Sequence, residues 1–200
     1  MEESVANLAA TLKRSSVPAD TKIAQFNTLK SQIKHQRVPE SAQSTIVDCV
    51  RLAITAQTSS ALVLAGFSAL GHLVKRLTIQ DQTGVLYAQR HSLLQSLLER
   101  LGDAREQYRT AASQALCDLW PPRQADVEKV VREGAIQGSN ARAKEAGMQW
   151  VAKMHAEQGL QFRNFVPAMI ECLEDADGQV REAAKATIIE LFRYVTKGLT

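Results

Sequence analysis

Aromatic side chains are scarce in this sequence. They make up 5% of the 200 residues, and only two of them are tryptophan. Strands draw on aromatic and β-branched residues in period-two alternation, and no convincing alternation of that kind occurs. The composition therefore turns away from a sheet and toward helices. Proline is also sparse, at 5 residues, while Ala, Leu and Gln, all good helix formers, are plentiful. Charge of one sign is lacking too. A net charge of +3 is too small to argue for nucleic acid, although it suits an acidic protein partner.

Cysteine is rare and scattered. Cys49, Cys117 and Cys172 lie far apart among apolar neighbours, with no CxxC or Cys/His ligand spacing. They read as buried free thiols in a reducing compartment, and no metal site is expected. The longest apolar-rich run, ALVLAGFSALGHLV, has about 14 residues and contains His72, too short to span a bilayer, so no membrane partner is expected. The opening MEESVANLAATLKRSS lacks the apolar stretch of a secretory signal, which points to the cytoplasm or nucleus. Catalytic signatures are missing as well: GxSxG, HExxH, GxGxxG and GxxxxGK[ST] are all absent, and His35, His72, His91 and His155 are scattered. No enzyme activity, catalytic residue or cofactor is expected. A helical-repeat DNA glycosylase would need a carboxylate beside aromatics in a groove and a stronger basic field than this chain carries.

What the chain does have is an echo. Residues 93–120, LLQSLLERLGDAREQYRTAASQALCDLW, align without a gap on 165–192, FVPAMIECLEDADGQVREAAKATIIELF, 72 residues further on. Asp103, Arg109, Ala111 and Ala112 recur as Asp175, Arg181, Ala183 and Ala184. A degenerate intermediate copy, GSNARAKEAGMQWVAKM, fills residues 138–154. The implied period of roughly 36–40 is that of two-helix HEAT or armadillo-type repeats.

Apolar spacing near 3.6 predicts about ten helices pairing into five repeats. Pro39 is placed as the first residue of the third helix. Residues 78–84, TIQDQTG, read as the longest weakly patterned connection, and Pro121-Pro122 as the stop of the sixth helix. Val195 is expected on the apolar face of the tenth. Within each pair a polar turn joins the helices: SSVPADT, AQTSS, GDARE, QGSN and EDADG. Their Ser, Asn and Asp side chains suit helix starts, where they accept from free backbone N–H groups, and Asp103 with Glu106 has capping-box spacing. Trp120, Trp150, Met148 and Met154 read as packing residues. In a solenoid, equivalent turns line up along one edge. Arg109 and Arg181 share a repeat position, which suggests bonds to Asp103, Asp175 or a neighbouring turn; structural use is the reading for Arg109, while for Arg181 it stays open beside a surface role. Arg105 and Arg142 are not explained by the repeat.

LLERLGDAREQYRTAASQALCDL, IQGSNARAKEAGMQWVAKM and PAMIECLEDADGQVREAAKATIIELFRYV, taken in this order and spacing, resemble the TOG domains of the CLASP family of microtubule-associated proteins. The likeness covers about residues 60–195 and is best for the N-terminal TOG domain. It implies an all-α HEAT-repeat α-solenoid, a TOG-like paddle of about five helix pairs. Residues 1–200 would form a single such domain in the N-terminal part of a longer protein. It further implies that the turn edge contacts αβ-tubulin or microtubules through Thr58, Ser59, Arg105, Asn140, Arg142, Lys144 and Arg181. Such a protein would act at microtubule plus ends, the spindle and kinetochores, with other spindle or kinetochore proteins as further partners. The chain departs from the family at its first turn, SSVPADTK, which lacks the tryptophan of many tubulin-binding TOG domains, and it carries no sixth repeat. The alternative is a HEAT-repeat scaffold for a partner other than tubulin.

Overall fold

Apolar stripes at helical spacing can be buried only against one another, and here they stack into two layers. The computed structural model describes residues 1–197, with side chains through Arg193. Among the described residues there are ten α-helices and no strand. The first five are α1 (Glu2–Leu12), α2 (Ala19–His35), α3 (Glu40–Ile54), α4 (Ser60–Ile79) and the short α5 (Gly84–Ala88). They are followed by α6 (Arg90–Leu101), α7 (Glu106–Lys129), α8 (Ala141–Gln158), α9 (Val166–Glu171) and α10 (Gly178–Lys197). A π-helical segment, Val130–Ile136, continues α7. Helices α1, α3, α6, the end of α7 with its π segment, and α9 pack in sequence as one layer. Helices α2, α4, the start of α7, α8 and α10 form the other. Each pair contributes one helix to each layer, which is the expected helix-pair solenoid.

Two local expectations need correcting. Pro39 is not the first helical residue but the N-cap, with φ −64° and ψ 143°. Pro121 and Pro122 end the first part of α7, as expected. Both lie within α7, and the break falls on the next residue, Arg123, at φ −140° and ψ 39°. Two successive residues without N–H groups weaken the ladder there, and the helix resumes at a new angle. Tyr87 of α5 holds this kink, its ring lying 4.0 Å from the Arg90 guanidinium carbon and 4.5 Å from that of Arg123. The expected connection over 78–84 is also shorter, because α4 runs through Ile79 and α5 begins at Gly84. Glutamines pin what is left. Gln80 accepts from the Val38 N–H at 2.9 Å and donates to the Val38 carbonyl at 3.1 Å, and Gln82 donates to Glu40 at 2.6 Å.

Helix α4 exceeds the apolar run seen in the sequence. At 20 residues it is long and apolar enough to cross a bilayer by length and composition, so the length argument does not hold. Its partners are protein: α2, α3 and α7 pack along it, and its window is half buried. Trp150 and Tyr108 are among the largest fully buried side chains, and Met148 and Met154 are buried beside them. Trp120 is buried too, its indole N–H donating to Glu128 at 3.0 Å. Val195 lies outside the described side chains.

Closeness between the layers is set at Gly66. A Cβ there would meet the Ala53 Cβ at 2.8 Å and the Ile54 backbone N at 3.3 Å, neither of which can swing away. Alanine would gain about 1 kcal/mol of helix propensity. Forcing α3 and α4 apart costs about 1–3 kcal/mol. Gly66→Ala should therefore lower stability in urea unfolding, whereas Gly84→Ala, with open space around it, should leave it unchanged or slightly raised.

Candidate protein-binding edge

Five turns join the helix pairs, at residues 13–18, 55–59, 102–105, 137–140 and 175–177. The helix that follows each turn starts with unpaired N–H groups, and polar side chains meet them. Ser59 Oγ accepts from the Leu62 N–H at 3.2 Å, Asn140 Oδ1 from Ala143 at 3.1 Å, and Asp177 Oδ1 from Gln179 at 2.8 Å. The third turn does not form the expected capping box. Asp103 Oδ1 accepts from the Arg105 N–H at 2.9 Å, closing the turn itself, and α7 starts at Arg105 without a side-chain cap.

Arg109 and Arg181 do the same work in their two copies of the repeat. Arg109 Nη1 donates to the carbonyls of Asp103 and Ala104, both at 2.9 Å. Arg181 Nη1 donates to the carbonyls of Asp175 and Ala176 at 2.7 and 3.0 Å. Each arginine reaches back from the second turn of its helix and folds the preceding loop against the helix start.

Other side chains tie neighbouring turns together. Arg100, only 5% exposed, donates through Nε to the Ile54 carbonyl at 2.7 Å and through Nη2 to the Ala56 carbonyl at 2.8 Å. Its Nη1 pairs with Asp103 Oδ2 at 2.7 Å. The last carbonyls of α3 thus find donors in the next repeat, and the second and third turns are locked. Tyr108 adds a bond from its hydroxyl to Ser60 Oγ at 3.0 Å, with the Arg100 and Arg105 guanidinium carbons each 5.0 Å from its ring centre. Asn140 Nδ2 donates to the Gly102 carbonyl at 3.2 Å and links the third turn to the fourth. Lys144 pairs with Asp175 and links the fourth to the fifth. Cys172, which stands 72 residues after Arg100 in the repeat, donates from Sγ to the Ile136 carbonyl at 3.6 Å.

The seven residues singled out by sequence therefore divide. Thr58, Arg105 and Arg142 are exposed, and Arg142 makes no hydrogen bond or ion pair with another described residue. Asn140 is exposed too, but with the partly covered Ser59, Lys144 and Arg181 it is engaged in the turns themselves. Sequence reasoning missed Arg100 and the hydroxyl of Tyr108. One signal for Arg100 was available. It continues the stripe of Leu93 and Leu97 on the buried face of α6, where a charge demands partners.

Electrostatics follow from these contacts. Burial opposes ionisation of Asp103, but the Arg105 N–H and the Arg100 guanidinium outweigh it and hold the carboxyl below its ordinary range. For Asp175 the Lys144 ammonium leads, followed by the Asp177 N–H, and the shift is again downward. Burial drives the three unpaired thiols the other way, Cys49 to about 12.

Fold and edge together define a class: a helical-repeat interaction module whose paired-helix turns form one braced row. Within that class the chain belongs to the CLASP N-terminal family, whose model matches residues 1–197. It is 51% identical over 193 residues to Protein STU1 of Coccidioides immitis (strain RS), covering 96% of this chain and 15% of that protein. To Protein stu1 of Aspergillus oryzae (strain ATCC 42149 / RIB 40) it is 45% identical over 193 residues, covering 96% of the chain and 16% of that protein. The chain thus spans only a small part of the length of these relatives. Among solved structures it superposes on the MAST/Orbit N-terminal domain with a TM-score of 0.79 at 22% identity, covering 94% of this chain and 83% of that one. With Drosophila melanogaster Mini spindles TOG3 the TM-score is 0.75 at 15% identity, covering 97% and 84%. At such identities the likeness is one of fold, and the expected HEAT-like TOG solenoid is the fold observed.

Two outcomes test the braces. Arg100→Ala should cost about 3 kcal/mol in urea unfolding, because it strands two carbonyls and the Asp103 carboxylate, and Arg100→Lys should recover only part of that. Both turn aspartates titrate below their unfolded value of about 3.9, so their contribution is complete above that pH and is lost as pH falls through their folded values. An Asp103→Asn, Asp175→Asn double variant should therefore show a flatter loss of stability below about pH 4 than the native domain.

Proposed function

We propose that residues 1–200 act as one tubulin-binding TOG unit of a CLASP-type regulator of microtubule plus ends, working in the cytoplasm on microtubules and the spindle. The turn edge is the contact surface, with Thr58, Ser59, Arg105, Asn140, Arg142, Lys144 and Arg181 along it. The observation that carries this reading is the division of labour on the edge. From the second turn to the fifth, each turn is locked to the next, while Arg105 and Arg142 remain exposed and outside every ion pair. Cations held in fixed register on a stiff edge suit an acidic protein surface of matching spacing. Family membership supports the assignment, as does the TOG fold it shares with a structure described as "TOG-tubulin binding specificity promotes microtubule dynamics and mitotic spindle formation", with a TM-score of 0.74 at 17% identity.

The mechanism is differential binding. A row of turns that cannot change its spacing favours whichever tubulin curvature matches it, and shifts assembly by its difference in affinity between the two states. Catalysis has no part in this scheme, and neither does a cofactor, a nucleic acid or a membrane. The first turn favours a second reading. It carries no aromatic side chain, and the Lys22 ammonium folds back onto the Arg14 carbonyl at 3.0 Å. A scaffold that uses the same edge for another spindle or kinetochore protein would need no aromatic there.

The purified domain should bind αβ-tubulin more tightly at low salt than at moderate salt, and an Arg105→Glu, Arg142→Glu variant with unchanged helicity should bind at least about tenfold more weakly. These two positions are chosen because Arg181 and Lys144 brace the turns. Absence of binding by the native domain would overturn the tubulin assignment in favour of the scaffold.

A further inference from the structure

A second surface lies away from the turns. Between α4, the start of α7 and α8 runs a groove of about 830 Å³. It runs along α4 from Leu64 to Ile79 and reaches Pro121 and Gln158, whereas the turn edge lies at the N-terminal ends of these helices. Its walls are mostly apolar, with Leu64, Phe67, Ala111 and Met154 among them, and Ile79 is 67% exposed at its mouth. Single exposed apolar residues are ordinary, but an apolar groove large enough for several side chains marks a binding site.

Charge around the groove is uneven. His72 and Lys75 line one wall, and Lys30 and Lys34 of α2 stand beside them. None of the three lysines is in an ion pair among the described residues. Their joint field is felt at His72, whose imidazolium is disfavoured first by burial and then by Lys34, Lys30 and Lys75 in turn. Asp118 of the α7 floor and Glu157 of α8 line the other side. A ligand that fills the groove therefore meets a positive flank on α2 and α4 and two negative residues, Asp118 on α7 and Glu157 on α8.

We propose that this groove is a docking site for a short amphipathic segment of a partner protein, in which apolar side chains are followed by a run of Asp or Glu. The apolar side chains enter the groove, and the acidic run lies over Lys30, Lys34 and Lys75. Glu157 repels the opposite orientation, so polarity as well as affinity is specified. The site is separate from the turn edge, and both can be occupied at once.

The probe is a fluorescein-labelled synthetic peptide with leucines at helical spacing followed by glutamates, measured by anisotropy beside a counterpart ending in lysines. The glutamate peptide should bind saturably and the lysine peptide at least about tenfold more weakly. A Lys30→Glu, Lys34→Glu, Lys75→Glu variant should lose that preference. Ser68→Trp, an exposed substitution that fills the groove, should abolish binding while leaving helicity and tubulin binding unchanged. On the native domain, the peptide should move the methyl signals of Leu64, Ile79 and Met154 in NMR spectra. Equal binding of both peptides, binding that survives Ser68→Trp, signal changes confined to the turns, or no saturable binding would each overturn the proposal. The tubulin measurement is independent, so either reading can fail alone.

Discussion

Carbonyl groups at the C-terminal end of a helix have no partner within it, and in a stack of short helices many such ends are covered by protein. In this chain they are satisfied by side chains from the next repeat. Arg76 of α4 donates to the carbonyls of Ile33 and Lys34 at the end of α2. Arg100 of α6 does the same for Ile54 and Ala56 at the end of α3, and Cys172 for Ile136. A cation at a helix C-terminus also opposes the negative end of the helix dipole. The hydrophobic stripes make the helices stack, but these donors set how far one repeat can slide against another. The register of the turns, and with it the spacing of the exposed arginines, depends on them.

Much of this was legible in the sequence because repeats and helices leave periodic marks. The gapless match of 93–120 with 165–192 located the two best-formed turns, and the shared geometry of Arg109 and Arg181 followed from their shared position. What escaped lies where one local rule competes with another. Asp103 and Glu106 have the spacing of a capping box, but Asp103 is claimed by Arg100 and the Arg105 N–H. The candidate edge was visible as a set of turns. Which of its residues face outward was not, because a basic residue looks the same in sequence whether it braces a loop or waits for a partner.

The domain thus separates its tasks by chemistry. Residues that hold the edge direct their charge inward, onto carbonyls and aspartates in the turns. Arg105 and Arg142 are carried exposed on that frame, Arg142 without bonding to it and Arg105 with its backbone N–H closing the third turn. The groove along α4, the start of α7 and α8 is built on a different plan, with mostly apolar walls and Lys75, Asp118 and Glu157 among the lining residues. On the proposed readings, one surface selects by the spacing of cations, the other by shape and polarity.

One position distinguishes the middle of the stack from its last repeats. At the third turn a buried guanidinium grips two carbonyls and a carboxylate, while at the fifth the matching thiol grips a single carbonyl at 3.6 Å. A thiol is a weak donor beside an arginine. In a linear array where each unit leans only on its neighbours, opening starts where the couplings are slackest. Of these two couplings, the one through Cys172 is the slacker, so the junction of the fourth and fifth turns leans on Lys144 and Asp175 where the third turn leans on Arg100.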